Sequence, residues 1–149
     1  MSYDATCVFC KIIKGDIPSF KVYEDDRVLA ILDIRPIQPG HTLVIPKIHI
    51  DHFMDVPEDL ASHIVIVGQR IARKMRSVLK SERVGNIVAG YAVAHVHYYV
   101  IPMNHPYDIT SRAYAFVENG AVVFDADHAP ISSAEDRADM SKLLWVKAV

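Results

Sequence analysis

A short apolar segment, AHVHYYVIP at residues 94–102, carries two histidines and a tyrosine at alternate positions. β-Branched and aromatic residues dominate the segment, which predicts a strand over residues 94–102. Because strand side chains alternate between faces, His95, His97 and Tyr99 should share one face. Two imidazoles on one face can bind a metal ion, act as nucleophile or base, or hold a phosphate.

A second chemical signal is the cysteine pair Cys7 and Cys10, separated by two residues. This spacing lets two thiolates reach one metal ion, and thiolate with imidazole is a ligand set that zinc favours. The same spacing also fits a redox pair or two small buried thiols. The sequence has no second pair of this kind, so further ligands would have to come from its eight histidines.

Other polar residues lie near the ends of apolar segments. His49 and His52 follow the apolar segment HTLVIP at residues 41–46, and Asp33 follows the apolar run at residues 28–32. Asp33 fits a loop cap that bonds nearby backbone N–H groups, and it also fits a carboxylate that accepts hydrogen bonds from sugar hydroxyls. Taken alone, the sequence favours the cap. We expect ordinary surface or core positions for the remaining histidines: His41, His63, His105 and His128.

The elements that position these residues form a mixed pattern. Strands are predicted at residues 21–24, 27–33 and 41–46, with a further turn and strand at 85–93 that leads to the histidine segment. Between them, apolar residues recur every three or four positions and predict one long helix: Leu60, Ile64, Val67, Ile71, Met75 and Val78. The basic residues of this helix lie off that stripe, so we expect a solvated face rather than a phosphate site.

The C-terminal third predicts a hairpin and a last helix. Residues 113–118 and 121–124 flank Asn119-Gly120, a pair that favours a tight hairpin turn. Ser132-Ser133-Ala134-Glu135 can cap a helix that runs toward Trp145. The order of elements predicts an α+β fold with an antiparallel sheet, one long helix and a C-terminal helix, in one domain over residues 1–149.

Composition limits the partners. The chain has 149 residues and a formal net charge of -2, so no general basic field favours nucleic acid. No apolar run is long enough to span a bilayer, and the first residues lack a long apolar signal region, which indicates a cytoplasmic protein without a membrane partner. In that compartment two cysteines are not expected to form a structural disulfide.

Taken together, the segments resemble the histidine triad (HIT) superfamily, in its Hint-like branch of small nucleotide-binding hydrolases. The likeness rests on CVFCKIIKGDIPSFKVYEDDRVLAILDIRPIQPGHTLVIPKIHI from residue 7 and on AGYAVAHVHYYVIP from residue 89. The signature region covers about residues 4–105, and residues 106–149 form a C-terminal extension. The resemblance implies a HIT-like fold and a homodimer whose sheets join into one continuous sheet. It also implies action on nucleoside phosphoramidates, dinucleoside polyphosphates or related nucleotides.

By position, the resemblance makes His97 the nucleophile that forms a nucleotidyl-imidazole, which water then hydrolyses. A backbone carbonyl near His95 would hold the other ring nitrogen. The resemblance implies a closed, structural zinc site with four ligands: Cys7, Cys10, His49 and His95. It also implies that Asp33 binds ribose and that four apolar residues pack on the base: Val8, Phe9, Ile12 and Ile31.

The sequence departs from the family pattern at positions that face the phosphate. Tyr99 stands where the third histidine is expected, and Tyr91 and Ala92 replace an amide and a hydroxyl. Tyr91 remains a nucleotide-binding candidate, and Tyr99 a catalytic one that can donate a hydrogen bond but cannot supply an imidazolium charge. Two hypotheses follow. The first is a nucleotidyl hydrolase or transferase acting through His97, and the second is a zinc-stabilised nucleotide-binding protein with little turnover.

Overall fold

The computed structural model describes residues 3–110, 115–124 and 130–148. Its main sheet consists of β1 (Lys21–Glu24), β2 (Val28–Leu32), β3 (Thr42–Pro46), β4 (Arg83–Ile87) and β5 (Tyr98–Met103). The strands lie in the order β1-β2-β3-β5-β4, and each neighbouring pair is antiparallel. The predicted α+β fold with an antiparallel sheet is therefore confirmed. Two earlier expectations, for His128 and for residues 113–114, lie outside the described ranges.

Helices cover both faces of this sheet. On one face, α1 (Val8–Lys14) buries Phe9 and Cys10 against β2 and β3. The sequence pattern did not predict this helix, because seven residues are too few to show a clear helical period.

On the other face lies the predicted long helix, α2 (Glu58–Leu79), which follows a 3-10 turn at Phe53–Asp55. Its stripe from Leu60 to Met75 is buried as predicted. Gly68 lies so close to β5 that an added Cβ would meet the Tyr98 ring at 2.6 Å.

The histidine segment is only partly a strand, which corrects the prediction for residues 94–102. β5 begins at Tyr98 because its pairing with β4 ends at Ile87–Tyr99. On the β3 side, Pro46 has no N–H to continue the ladder, and its carbonyl accepts a hydrogen bond from the His95 ring instead. The Val96 N–H donates to the Ile50 carbonyl at 2.7 Å. His95 and His97 thus lie in an extended segment immediately before the strand.

The predicted alternation of faces nevertheless holds along this segment. Val96 and Val100 pack in the core under α2, whereas Tyr99 packs with the cluster under α1. His95 and His97 both contact the Phe9 ring on that second face. The extended backbone is enough to keep the period of two, even where no ladder forms.

The C-terminal region contains the predicted hairpin and helix. Strands β6 (Ala115–Glu118) and β7 (Ala121–Phe124) are joined by Asn119-Gly120, whose φ angles of 50° and 79° suit the primed hairpin turn. The last helix is α3 (Ala134–Leu144), and Ser133 caps it by accepting the Asp136 N–H at 3.0 Å.

The segment at the end of α3 lies along β1. The Val146 N–H donates to the Val22 carbonyl at 2.8 Å, and the Ser141 hydroxyl donates to the Lys21 carbonyl. Within the described ranges, every helix is too short or too polar to cross a bilayer.

Candidate functional site

Four potential metal ligands converge beneath α1. The sulfur atoms of Cys7 and Cys10 and the Nδ1 atoms of His49 and His95 all lie within 4.8 Å of one another. The Cys7 Sγ–His95 Nδ1 distance is 3.5 Å, and the Cys10 Sγ–His49 Nδ1 distance is 3.4 Å. Cys10 Sγ lies 3.7 Å from His95 Nδ1, and the two histidine Nδ1 atoms are 3.3 Å apart.

These separations fit a tetrahedral zinc ion. Zinc bonds of about 2.0–2.1 Å to nitrogen and about 2.3 Å to sulfur place two tetrahedral nitrogens about 3.3 Å apart, and a nitrogen and a sulfur about 3.6 Å apart. The His95 Nε2–H donates to the Pro46 carbonyl at 3.0 Å, so the Nδ1 of a neutral ring carries a lone pair that faces the other ligands. The donor set and its protonation therefore suit a metal ion.

Local structure brings the four ligands together. Cys7 is the residue that caps the N-terminus of α1, and Cys10 lies in the first turn of that helix. His49 follows β3, and His95 precedes β5, the strand that pairs with β3. Burial raises the pKa of the Cys10 thiol and lowers that of the His95 imidazole, so burial alone favours the uncharged forms of both groups.

His97 is buried two residues beyond His95 and has both ring nitrogens engaged. Its Nδ1 lies 2.7 Å from the His95 carbonyl, which can only accept, so Nδ1 carries the proton. In the neutral ring Nε2 is then unprotonated, and it can accept a hydrogen bond from the Tyr99 hydroxyl, which lies 3.0 Å away. The backbone carbonyl of His95 thus orients the His97 ring, with Nε2 toward the Tyr99 hydroxyl.

His41, which the sequence pattern does not single out, lies beside this pair. Its ring centroid is 5.0 Å from that of Tyr99, and its Nδ1 is 3.5 Å from Asp33 Oδ2. Burial, with a smaller effect of His97, lowers the pKa of His41 to about 3, so its ring is neutral near pH 7. The antiparallel pairing of β2 with β3 is what brings His41 to Asp33, a contact that spacing alone does not reveal.

Asp33 makes the loop-cap contact that was one of the two interpretations considered for it, and its ribose-binding role stays a prediction. Its Oδ1 accepts the Arg35 N–H at 2.8 Å, as a loop cap would. Burial raises the pKa of this carboxyl group, against smaller opposing effects of Arg35 and His97. Its second oxygen, Oδ2, lies 3.5 Å from His41 Nδ1, and the residue borders a cavity.

The apolar candidates lie around His97 to different extents. The Phe9 ring contacts His97 edge-on at 5.4 Å between centroids, and Phe9 shares a buried cluster with Ile31. Ile12 is partly buried against the same cluster, whereas the Val8 side chain is exposed. Phe9 therefore contacts the nucleophile candidate, Ile31 and Ile12 pack in the same cluster as Phe9, and Val8 lies at the surface of α1.

Tyr91 is placed differently from the other candidates. Its side chain is fully exposed, in the irregular segment between β4 and the histidines. A cavity of about 550 Å³ borders Asp33 and His41 and lies between residues 36–41 and α3. The residues that line this cavity do not include His97, so the cavity is not centred on the histidine chemistry.

Comparison with known proteins identifies the family. The family model described as the HIT domain matches residues 14–105. Protein hit of Bacillus subtilis is 45% identical over 101 residues, which cover 64% of this chain and 70% of that protein. Adenosine 5'-monophosphoramidase HNT1 of Saccharomyces cerevisiae is 40% identical over 103 residues, which cover 66% of this chain and 63% of that protein.

Solved structures show the same likeness over more of the chain. A Hit-like protein involved in cell-cycle regulation from Bartonella henselae covers 97% of both chains at 28% identity, with a TM-score of 0.76. A zinc-bound histidine triad family protein from Mycobacterium smegmatis is 34% identical, with a TM-score of 0.70 over 93% of this chain and 90% of that one. With its antiparallel sheet, its paired histidines and the match over residues 14–105, this chain belongs to the HIT domain family.

Proposed function

We propose that this protein is a nucleotide-binding hydrolase or nucleotidyl transferase that acts on the α-phosphate of a nucleoside phosphoramidate or dinucleotide through a covalent nucleotidyl-His97. The observation that carries this proposal is the His97 ring, whose Nδ1–H is fixed on the His95 carbonyl at 2.7 Å. That bond leaves Nε2 of the neutral ring unprotonated, 3.0 Å from the Tyr99 hydroxyl. The yeast relative, named a monophosphoramidase, supports chemistry of this class.

In the proposed reaction His97 Nε2 attacks the α-phosphorus and displaces the leaving group. Water then attacks the phosphorus, which releases the nucleotide and restores the ring. The His95 carbonyl accepts a hydrogen bond from Nδ1–H but cannot take the proton. The ring therefore keeps the tautomer in which Nε2 is unprotonated, and no separate base is needed to activate it. Orientation of the nucleophile before the substrate binds lowers the entropic part of the barrier.

The nucleoside would bind between α1 and the sheet. Phe9 and Ile31 form an apolar surface next to His97, and Ile12 and Val8 extend it along α1. Asp33 would accept hydrogen bonds from the ribose with the oxygen that Arg35 does not use. Tyr91 lies on the exposed segment before the histidines, from which it would reach the substrate at the surface.

We propose zinc as the structural metal. Cys7, Cys10, His49 and His95 would hold it, and four protein ligands leave no open position for substrate. When bound, the ion would supply a cross-link between α1 and the segments that flank β3 and β5. The chain's own contribution is the His95 carbonyl, which orients His97 from the residue that would also hold the metal.

A single-turnover experiment tests the covalent route. The protein is mixed with a substrate radiolabelled at the α-phosphate, quenched in base and examined for a phosphoramide-linked nucleotide. We expect a stoichiometric adduct in the wild type and none in His97→Ala, with His52→Ala, a change at an exposed histidine, behaving as wild type. Absence of both turnover and adduct with purine and pyrimidine substrates would exclude the proposal.

The second candidate, a zinc-stabilised nucleotide-binding protein with little turnover, is favoured by one observation. The Tyr99 hydroxyl lies 3.0 Å from Nε2, the atom that must attack phosphorus. A stable bond there would hold the nucleophile inactive. This candidate predicts that nucleotide affinity survives His97→Ala and that the wild type shows no turnover, whereas fast turnover lost in that variant excludes it.

We also propose a homodimer formed through β4. Within the described ranges β4 pairs only with β5, so its other edge is free to pair with a second copy in one continuous sheet. The helix that packs on β4, α2, carries the exposed apolar side chains Val65 and Ile66. Sedimentation should show a dimer that Ile66→Asp converts to monomer, whereas Met54→Asp, at another exposed apolar side chain, leaves it intact.

A further inference from the structure

The Tyr99 hydroxyl is the hydrogen-bond donor that lies next to the nucleophilic nitrogen. It lies 3.0 Å from His97 Nε2, and the two rings meet edge-on with their centroids 5.0 Å apart. When Nε2 forms a bond to phosphorus, it can no longer accept a hydrogen bond. The hydroxyl is then released beside the reacting phosphate and can donate to one of the departing oxygen atoms.

This hydroxyl is a hydrogen-bond donor but a poor source of a whole proton. Burial, with a smaller effect of the Asp33 carboxylate, raises the pKa of Tyr99 above its ordinary value. His41, the other ring in contact with Tyr99, is neutral near pH 7 because its pKa is lowered to about 3. General acids are effective when their pKa lies near the working pH, and neither group meets that condition.

We propose that Tyr99 is a specificity-determining residue that restricts this site to nucleoside 5'-phosphoryl substrates whose leaving group departs as a stable anion. A phosphate of a polyphosphate and a carboxylate are leaving groups of this kind, and an amine is not. The inference rests on the covalent route proposed above and narrows its substrate class. A site with Tyr99 should cleave phosphoric and carboxylic anhydrides of nucleotides in preference to phosphoramidates.

The bonds and charges balance without an added acid. The bond from Nε2 to the α-phosphorus forms, and the bond from phosphorus to the leaving group breaks and leaves its electron pair on the leaving group. The ring keeps its Nδ1–H on the His95 carbonyl and carries the positive charge. Water then bonds to phosphorus and gives one proton to the solvent, while the bond from phosphorus to Nε2 breaks and leaves its electron pair on the ring, which frees neutral His97 and the nucleoside monophosphate. An amine would instead need a proton before its bond to phosphorus breaks.

Two substrates that share one nucleoside test this selection. The kcat/KM value is measured for a dinucleoside tetraphosphate and for the matching nucleoside 5'-phosphoramidate of an alkylamine. We expect the wild type to favour the tetraphosphate by on the order of a hundredfold, which is the usual contribution of a general acid that the amine would lack. Equal rates, or a preference for the phosphoramidate, would overturn the proposal.

Variants at position 99 separate the proton from the hydrogen bond. Tyr99→His supplies a group with an ordinary pKa of about 6.5 and should raise phosphoramidate cleavage about tenfold or more. The ratio of kcat/KM for the tetraphosphate to kcat/KM for the phosphoramidate should therefore fall. Tyr99→Phe should slow both substrates and leave the ratio high. Tyr98→Phe removes the neighbouring hydroxyl on the opposite face and serves as the control, with both rates unchanged. A ratio that Tyr99→His leaves unaltered contradicts the proposal.

A measurement on the wild type alone removes any dependence on how the variants fold. For a series of nucleoside 5'-aryl phosphates, log kcat/KM should fall steeply as the pKa of the leaving phenol rises. A flat dependence would show that the leaving group is protonated as it departs, and would refute the proposal. The covalent adduct on His97 is scored separately: if it forms, the proposed function stands whatever the ratio, and if no substrate gives adduct or turnover, both proposals fail.

Discussion

Asp25 and Asp33 are both partly buried carboxylates, yet their pKa values shift in opposite directions. Burial alone would raise the pKa of Asp25, but four hydrogen bonds outweigh it and bring that pKa to about 2. The donors are the Tyr23 hydroxyl, the His63 ring and two backbone N–H groups of the turn. At Asp33 burial prevails and the pKa rises. Asp25 thus serves the fold, whereas ribose binding by Asp33 stays a prediction.

Replacing Asp25 by Asn should destabilise the protein near neutral pH and much less in acid. Because the folded pKa of about 2 lies below the unfolded value of about 3.9, the ionised group stabilises the fold above pH 4, and this stabilisation is lost as the pH falls toward 2. In urea unfolding, the free energy of unfolding of Asp25→Asn should be lower than that of the wild type by on the order of 2 kcal/mol at pH 7. This pH-dependent loss should be absent at pH 2.5.

Asp26→Asn, at an exposed position in the same turn, is the matched control for the Asp25 experiment and should unfold like the wild type at both pH values. An equal loss in Asp25→Asn at pH 7 and pH 2.5 would contradict the assignment. It would show that the side chain contributes through its shape alone.

At the scale of elements, local patterns predicted α2, α3 and the hairpin, because each has a period, a cap or a turn that short-range chemistry sets. The start of β5 was not predictable in this way. It depends on where the pairing with two strands distant in sequence stops, at Ile87 of β4 and just before Pro46 of β3. The same holds for His41, which reaches the site only because β2 and β3 pair. Local chemistry specifies elements, and long-range pairing specifies the site.

The approach of α2 to β5 gives an element-scale prediction. Gly68→Ala would place a Cβ at 2.6 Å from the Tyr98 ring, so packing should cost about 1–3 kcal/mol, against a gain of about 1 kcal/mol in helix propensity. We expect a net loss of stability in chemical unfolding. In a Tyr98→Val background the clash is removed, so the same substitution should become neutral or stabilising. A loss of equal size in both backgrounds would contradict this account.

For the whole molecule, the four-ligand cluster joins parts of the chain that are far apart in sequence. Cys7 immediately precedes α1, Cys10 lies within it, His49 follows β3, and His95 precedes β5. A bound metal ion would therefore constrain the unfolded chain across nearly ninety residues, from Cys7 to His95. It would also stiffen the segment that ends in His97.

Removal of the metal should lower the thermal stability of the whole domain. We expect about one zinc per chain by elemental analysis. A strong chelator should cost roughly 2–4 kcal/mol, which corresponds to a fall in Tm on the order of 10 °C for a domain of this size. Cys10→Ser should lose the metal and show the lower Tm without chelator, whereas His52→Ala should keep both. A Tm that the chelator does not change, in protein shown to have lost its metal, would exclude a structural role.

The bonds from Ser141 and Val146 to the first strand have a consequence for how copies of this chain can assemble. A sheet with two open edges can add molecules at both ends and grow into a fibre. Here the carbonyl groups of Lys21 and Val22 are already occupied by the chain's own C-terminal segment, so growth at that edge is blocked. In the described part of the main sheet the β4 edge remains open, and in the proposed dimer two copies that meet there would close the assembly. In the proposed dimer, the C-terminal segment would thus limit association to two copies by covering the opposite edge of the sheet.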